Sequence, residues 1–503
     1  MTTRPAPAPR NSAYDGDGIG RIEAPVLAPE ASALERYRAL GVTLLLMAIG
    51  AGVVLAIAFA HYQMHQAPHR LLKVLAGLGL AVALALRPAI ALYSLPFAFA
   101  FVEWLPKSPL PGMNSLNLIN SILVASWIGR TVVLRQPMFE HTPLNRPIAI
   151  FLCWAVLCWI YSTMLGSSLL DPLASFQYHV NYFVGLFLVF PLFYLVRTWI
   201  QIRRLVFWFV VASSFGVLTL VSESSGLGGG RRVGGAIGDI NMAGAFFALV
   251  TILGLALVRA KWLGLLRRVL LAGATGAACL AMFLTGSRGA ILALAVGAVP
   301  LAFRTGASGV LMTVVIVGGV SVAAPAFVVE RIQETWDGLS GGGGYYDTGN
   351  EVSGGRLMIW RTTLEIVSEN PILGVGLGRL PVVMREKIGR IKAGHNLYLE
   401  IMGEMGIPGF LLLMWIFVTS FIVARRLARQ PGFAGVLGVA YLFAMGSVVV
   451  SNLFGQRFFH FSMAGSWAFL TALVCRAIQL SETSGAAEAS DSGSTKVGAI
   501  AGR

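Results

Sequence analysis

Long apolar stretches recur along almost the whole chain, separated by short polar connections. A helix needs about 20 mostly apolar residues to cross roughly 30 Å of hydrocarbon. On that measure the pattern predicts about fourteen membrane spans. They fall at 39–60, 71–86, 88–104, 114–134, 147–166, 180–195, 205–221, 242–258, 269–285, 290–303, 310–329, 410–424, 434–454 and 458–474. The span 71–86 is short, and 114–134 opens on polar residues. The predicted fold is all-α, a polytopic transmembrane helical bundle of about 12–14 spans.

The cations orient this bundle. Arg36 and Arg38, Arg87, Arg130 with Arg135 and Arg146, and Arg197 with Arg203 and Arg204 fall on alternate connections. Arg259 with Lys261, Arg267 and Arg268, then Arg304, Arg425 with Arg426 and Arg429, and Arg476 continue the alternation. Cytoplasmic loops carry the excess of Lys and Arg, so both termini are expected in the cytoplasm.

Two segments on the opposite side are too long for turns: a glycine-rich loop at 222–240 and a large loop at 330–408. Loops of that length are usually functional or disordered. In the larger one, Leu357, Trp360, Leu364 and Val367 recur at helical spacing, and Asn370-Pro371 stops that helix. A glycine-rich bend at 374–378 follows, and 397–405 reads as another helix. The organisation expected is a disordered cytoplasmic tail over 1–38, membrane helices over 39–329, the helix-containing loop at 330–408, the last membrane helices over 409–478 and a second tail at 479–503.

Composition agrees with a membrane solvent. Hydrophobic residues make up 56% of the chain and charged ones 12%, against about 25% charged in soluble domains. The formal charge of +15 would suit nucleic acid if it were clustered. Lys and Arg are instead scattered between apolar runs, so membrane lipids are expected partners and nucleic acid is not. Cys153, Cys158, Cys279 and Cys475 lie inside apolar runs without a CxxC pair, which argues against a disulfide framework or a zinc site. No metal and no cofactor is expected.

Three places on the outer side carry candidate chemistry. Arg288 stands in Thr285-Gly-Ser-Arg-Gly289 between two apolar runs, where a cation is expensive unless it meets an anion. A snorkelling anchor on lipid phosphate is the competing reading. Arg231 and Arg232 follow Gly226-Leu-Gly-Gly-Gly230 and precede Asp239-Ile-Asn241. Glycine-rich backbone can form an anion-binding nest, and a guanidinium grips phosphate oxygens as a fork. A flexible loop with incidental charge would show the same pattern. Together these arginines could hold a pyrophosphate without a metal.

His395 lies in Gly394-His-Asn-Leu-Tyr-Leu-Glu400, just before a helix. Histidine is the commonest general base, although a lone loop histidine is more often a solvated surface group. Glu400 and Glu404 follow one helical turn apart on a common face. They would position a polar substrate or merely form a wet face.

These residues resemble a known family. Ser287-Arg-Gly-Ala290 opening a helix, Asn370-Pro-Ile-Leu-Gly-Val-Gly376, and His395-Asn-Leu-Tyr-Leu399 leading to Glu404-Met-Gly-Ile-Pro-Gly409 are similar to motifs of O-antigen ligases and Wzy-type polymerases. The Arg231-Arg-Val-Gly234 and Asp239-Ile-Asn241 segment resembles that family's earlier periplasmic arginine motif. The resemblance covers roughly 203–454.

It implies a Gram-negative inner-membrane enzyme that moves a glycan from undecaprenyl pyrophosphate to a periplasmic acceptor, inverting the anomeric carbon without a metal. Carried over by motif, Arg288 and Arg232, with Arg231 beside the latter, would grip the donor pyrophosphate, and His395 would deprotonate the acceptor hydroxyl. Asn241, Asn396, Tyr398, Glu400 and Glu404 are the expected substrate-binding residues. The aspartate that some ligases carry after the last long helix is not obvious here, where Asn452, Gln456, Arg457 and His460 occupy that region.

The acceptor would be lipid A core for a ligase, another repeat unit for a polymerase or a protein hydroxyl for an oligosaccharyltransferase. The ligase is the preferred form. The alternative is a membrane transporter of an anion such as bicarbonate, or of a lipid-linked sugar. Such a protein should show broken polar helices at the midplane and inverted repeats, neither of which is evident.

Overall fold

The computed structural model describes residues 88–104, 115–165, 183–226, 232–260, 263–319, 356–389 and 394–500. The predicted spans 39–60 and 71–86, and Arg231, lie outside the described residues. The first helices are α1 (Pro88–Ala100), α2 (Ser115–Leu134), α3 (Asn145–Met164), α4 (Val189–Leu195), α5 (Trp199–Ser214) and α6 (Val217–Gly226). A second group comprises α7 (Ile240–Leu257), α8 (Leu265–Leu284), α9 (Arg288–Arg304) and α10 (Ala307–Thr313). In the large loop lie α11 (Arg356–Glu369) and α12 (Leu380–Ile388), followed by α13 (Leu397–Leu427), α14 (Gly432–Ser451) and α15 (Phe461–Ile500).

Among the described residues there is no strand, and seven helices are long and apolar enough to cross a bilayer. Shorter apolar helices at Ala89–Ala100, Ile119–Leu134, Phe183–Leu195 and Ala307–Gly318, together with α9, stand on the other predicted spans from residue 88 onward. The chain is an all-α, multi-pass membrane bundle. Helix α15 continues to Ile500, past residue 478 where the apolar pattern ends.

Two helices form the centre. Every residue from 242 to 257 of α7 is buried, as is every residue from 461 to 478 of α15. A helix that is apolar on all sides belongs in an interior. Small residues let neighbours close on α7: a Cβ at Gly254 would stand 2.1 Å from the Thr275 hydroxyl of α8, and one at Gly297 of α9 would stand 2.2 Å from Ile252. Such close approach is how helices pack when lipid removes the hydrophobic drive between them. On the outside, Ile407, Leu411, Trp415, Val418 and Ile422 of α13 form an exposed apolar stripe at helical spacing, the surface a membrane helix offers to lipid.

Charge gathers at the two ends of the central helices, which for the 18 residues of α7 are about 27 Å apart. At one end Glu140 meets Arg197 at 2.5 Å and Arg476 at 3.0 Å. At the other end begin α7 and α9.

Helix α13 is broken at Gly406, whose φ of +69° lies in the left-handed region that favours glycine. The Tyr398 ring is 6.3 Å from Phe410 and 6.5 Å from Phe417. In an unbroken helix, residues nineteen positions apart would be separated by about 28 Å, so segment 397–405 folds back along segment 407–427. The turn after α11 clamps this fold. Ile407 N–H donates to Pro371 O at 2.8 Å, and Val375 N–H donates to Gly403 O at 2.8 Å. Trp154 of α3 adds an indole N–H to Met405 O at 2.9 Å.

Candidate active site

The site is built where α7 and α9 begin. Asp239 caps α7, its Oδ1 accepting from Met242 N–H at 2.6 Å, the role a short acidic side chain performs at a helix start. Two residues on, the Asn241 amide oxygen accepts from Arg232 Nη2 at 3.0 Å and from Ser287 Oγ at 3.1 Å. Arg232 Nε also donates to Thr285 O at 3.0 Å. These bonds tie the glycine-rich loop to the α8–α9 turn and fix Arg232 beside Ser287. The next residue, Arg288, is the first of α9 and is half-buried. A helix N-terminus carries partial positive charge and presents free N–H groups, so a cation there is disfavoured and an anion is favoured.

Two further arginines join this cluster, and the sequence reading did not nominate either. Arg356 is the first residue of α11. Burial, and then the charge of Arg288 close by, lower its pKa from the usual guanidinium value. Arg457 lies in the short turn Arg457–Phe459 and is buried. Its Nη2 donates to Phe454 O at 3.0 Å, and its Nη1 stands 3.8 Å from the Asp239 carboxylate. Burial and the nearby Arg356 bring its pKa down to about 10, against the pull of Asp239. It is still a cation at neutral pH.

Signals for both were present. Like Arg288, Arg356 is a cation opening a helix close after glycine, with Gly286 two residues before the first and Gly355 directly before the second, and Arg457 sits between the apolar runs ending at Phe454 and beginning at Phe458.

His395 stands just before the segment of α13 that folds back. Its φ of +48° places a non-glycine residue in the left-handed region, which is uncommon. Asn396 caps the helix, its Oδ1 accepting from Tyr398 N–H at 2.9 Å and Leu399 N–H at 3.3 Å. The Tyr398 hydroxyl donates to Val449 O at 2.7 Å, near the end of α14. The chain then turns through Asn452–Phe454, where the Phe454 side chain would stand 3.1 Å from a Cβ at Gly289. The histidine's helix and the Arg288 turn therefore flank the same short segment. Glu400 and Glu404 are both fully buried, and Glu400 accepts a hydrogen bond from Gly394 N–H.

A second histidine, His460, is nearby but occupied. Its Nδ1 accepts from Ser462 N–H at 3.4 Å. Burial depresses its pKa, against the opposing pull of Asp239, Glu103 and a bond to the Ile237 backbone. Among the described residues, no three His, Cys, Asp or Glu side chains gather as a metal site would need. What the site offers a ligand is a set of guanidiniums, Arg288 and Arg356 at helix starts with Arg232 and Arg457 beside them.

Comparison with curated proteins gives no match. Residues 273–414 match the family model described as O-Antigen ligase. That segment takes in Arg288, Arg356, His395, Glu400 and Glu404, and over it the chain is similar to the O-antigen ligase family, which supports the resemblance to O-antigen ligases and Wzy-type polymerases.

Proposed function

We propose that this protein is an inverting, metal-independent glycosyltransferase of the O-antigen ligase type. It would move a glycan from undecaprenyl pyrophosphate to a periplasmic acceptor, with lipid A core preferred over a growing repeat unit or a protein hydroxyl. The family implies a glycosyltransferase-like enzyme that uses a lipid-linked glycan and an acceptor. The observation that carries the finer reading is the gathering of Arg232, Arg288, Arg356 and Arg457 at the starts of α7 and α9.

In the reaction the acceptor oxygen attacks the anomeric carbon from the face opposite the pyrophosphate. The carbon–oxygen bond to the carrier breaks with inversion, and negative charge develops on the leaving diphosphate. Fixed guanidiniums stabilise that charge and need little reorganisation. His395 takes the acceptor proton. Asn241 serves by holding Arg232, while the donor's lipid tail stays in the bilayer. The resemblance to O-antigen ligases implies a Gram-negative inner-membrane protein, and the cation pattern, with Arg197 and Arg476 meeting on Glu140 at the far end, supports its orientation. Both termini would be cytoplasmic and the arginine end periplasmic.

The test incubates purified protein with undecaprenyl-pyrophosphate glycan and each acceptor in EDTA. Transfer is expected for the wild type, and its loss for His395→Ala and Arg288→Ala with membrane insertion intact. Normal transfer by both variants would refute the assignment. Failure with every acceptor, alongside solute uptake into liposomes, would favour the transporter.

A further inference from the structure

The base assigned above sits on an unusual piece of backbone. His395 occupies the left-handed region at φ +48°, a strained conformation for a non-glycine residue that persists only where its surroundings enforce it. The enforcement comes from both flanks. On one side, Asn396 Oδ1 takes the N–H groups of Tyr398 and Leu399. On the other, one oxygen of Glu400 takes the N–H of Gly394. A Cβ at Gly394 would come within 2.7 Å of that oxygen, so the position admits only glycine without a shift.

Glu400 is fully buried, and its second oxygen, Oε1, has no hydrogen-bond partner among the described residues. A carboxylate placed there is costly. A buried acceptor aimed backwards past the helix start has one visible use, which is to hold the strand of chain that carries the histidine.

We propose that Glu400 is a positioning residue for His395. By accepting the Gly394 N–H it locks the 394–396 turn so that the imidazole stands at the acceptor hydroxyl, and it does not itself contact substrate. This inference rests on the reading of His395 as the general base. The requirement is for an acceptor atom, so a neutral amide oxygen should serve.

The experiment uses the full-length protein in lipid nanodiscs and compares wild type, Glu400→Gln and Glu400→Leu. Amide hydrogen exchange at Gly394 and steady-state transfer are both measured. Gly394 should be protected in the wild type and in the glutamine variant, and should exchange freely in the leucine variant. The leucine variant should lose kcat by ~10²-fold, the scale of misplacing a reacting group by about 1 Å, with KM for the lipid donor unchanged. Glutamine should restore most of that loss, which a merely structural defect would not allow.

Unprotected Gly394 in the wild type would overturn the proposal whether or not any variant folds. So would wild-type kcat in a folded leucine variant, or a folded glutamine variant as inactive as leucine. A wild type with protected Gly394 that transfers no glycan to any acceptor would instead remove the enzyme reading, and this inference with it.

Discussion

Arg356→Met separates a binding site from an ordinary charged surface, because it should move activity and stability in opposite directions. Arg356 opens α11, where a cation faces the positive end of the helix at a cost of about 0.3–1 kcal/mol. It also lies close enough to Arg288 for the two charges to repel. With no anion bound, removing it should leave the protein equally stable or raise stability by about that amount. In the reaction its loss removes one preorganised charge from the leaving diphosphate. That typically costs about 10²–10³ in rate, or about 2.7–4 kcal/mol of transition-state stabilisation.

Arg356→Lys keeps the charge but not the planar fork, and should fall between wild type and Met. The assays are thermal unfolding with and without added pyrophosphate, and single-turnover transfer. Pyrophosphate should stabilise the wild type by mass action, and the Met variant less. Wild-type turnover in Arg356→Met, with undiminished protection by pyrophosphate, would refute the placement of Arg356 in the donor site.

Two other consequences follow from the geometry. Gly406→Ala puts a Cβ 2.0 Å from the Ile372 carbonyl oxygen at a backbone φ of +69°. It should cost more than the ~1–2 kcal/mol of a left-handed residue alone, and a wild-type melting temperature would contradict the clamp on the fold-back. His460 has a folded pKa below its ordinary 6.5, so the unfolded chain binds its proton first on acidification. Its contribution to stability is complete above about pH 6.5 and is lost as pH falls through the folded pKa, with a slope of at most about 1.4 kcal/mol per pH unit. His460→Gln should flatten denaturation curves in that window, and an unchanged pH dependence would count against a buried neutral imidazole.

Much of the fold could be read locally, because lipid demands long apolar runs and helices. The helix opened by Arg356, the stop at Asn370-Pro371 and the separate helical segments either side of Gly406 all follow from short-range pattern. The direction of the chain after Gly406 does not. It depends on the Pro371 carbonyl taking the Ile407 N–H and on Trp154 reaching Met405, contacts between residues far apart in sequence. Glu400 and Glu404 show the same limit. Their spacing marks a common face, but only packing decides whether that face is wet, and here it is buried.

The arginines invert this lesson, because what found Arg288 was a conflict between local rules. A cation at the edge of hydrocarbon, opening a helix, is disfavoured both by solvation and by the helix dipole. Arg356 breaks the dipole rule in the same way, and Arg457 breaks the solvation rule. Three separate violations that meet, Arg288 beside Arg356 and Arg356 beside Arg457, do not follow from anchoring, since a lipid phosphate would satisfy each one singly without bringing them together. A single ligand with several anionic oxygens satisfies them jointly. Local rules that fail together at one point in space are therefore a stronger pointer to a site than any motif in the chain, and evenly applied they group Arg356 and Arg457 with Arg288 in the donor site proposed above.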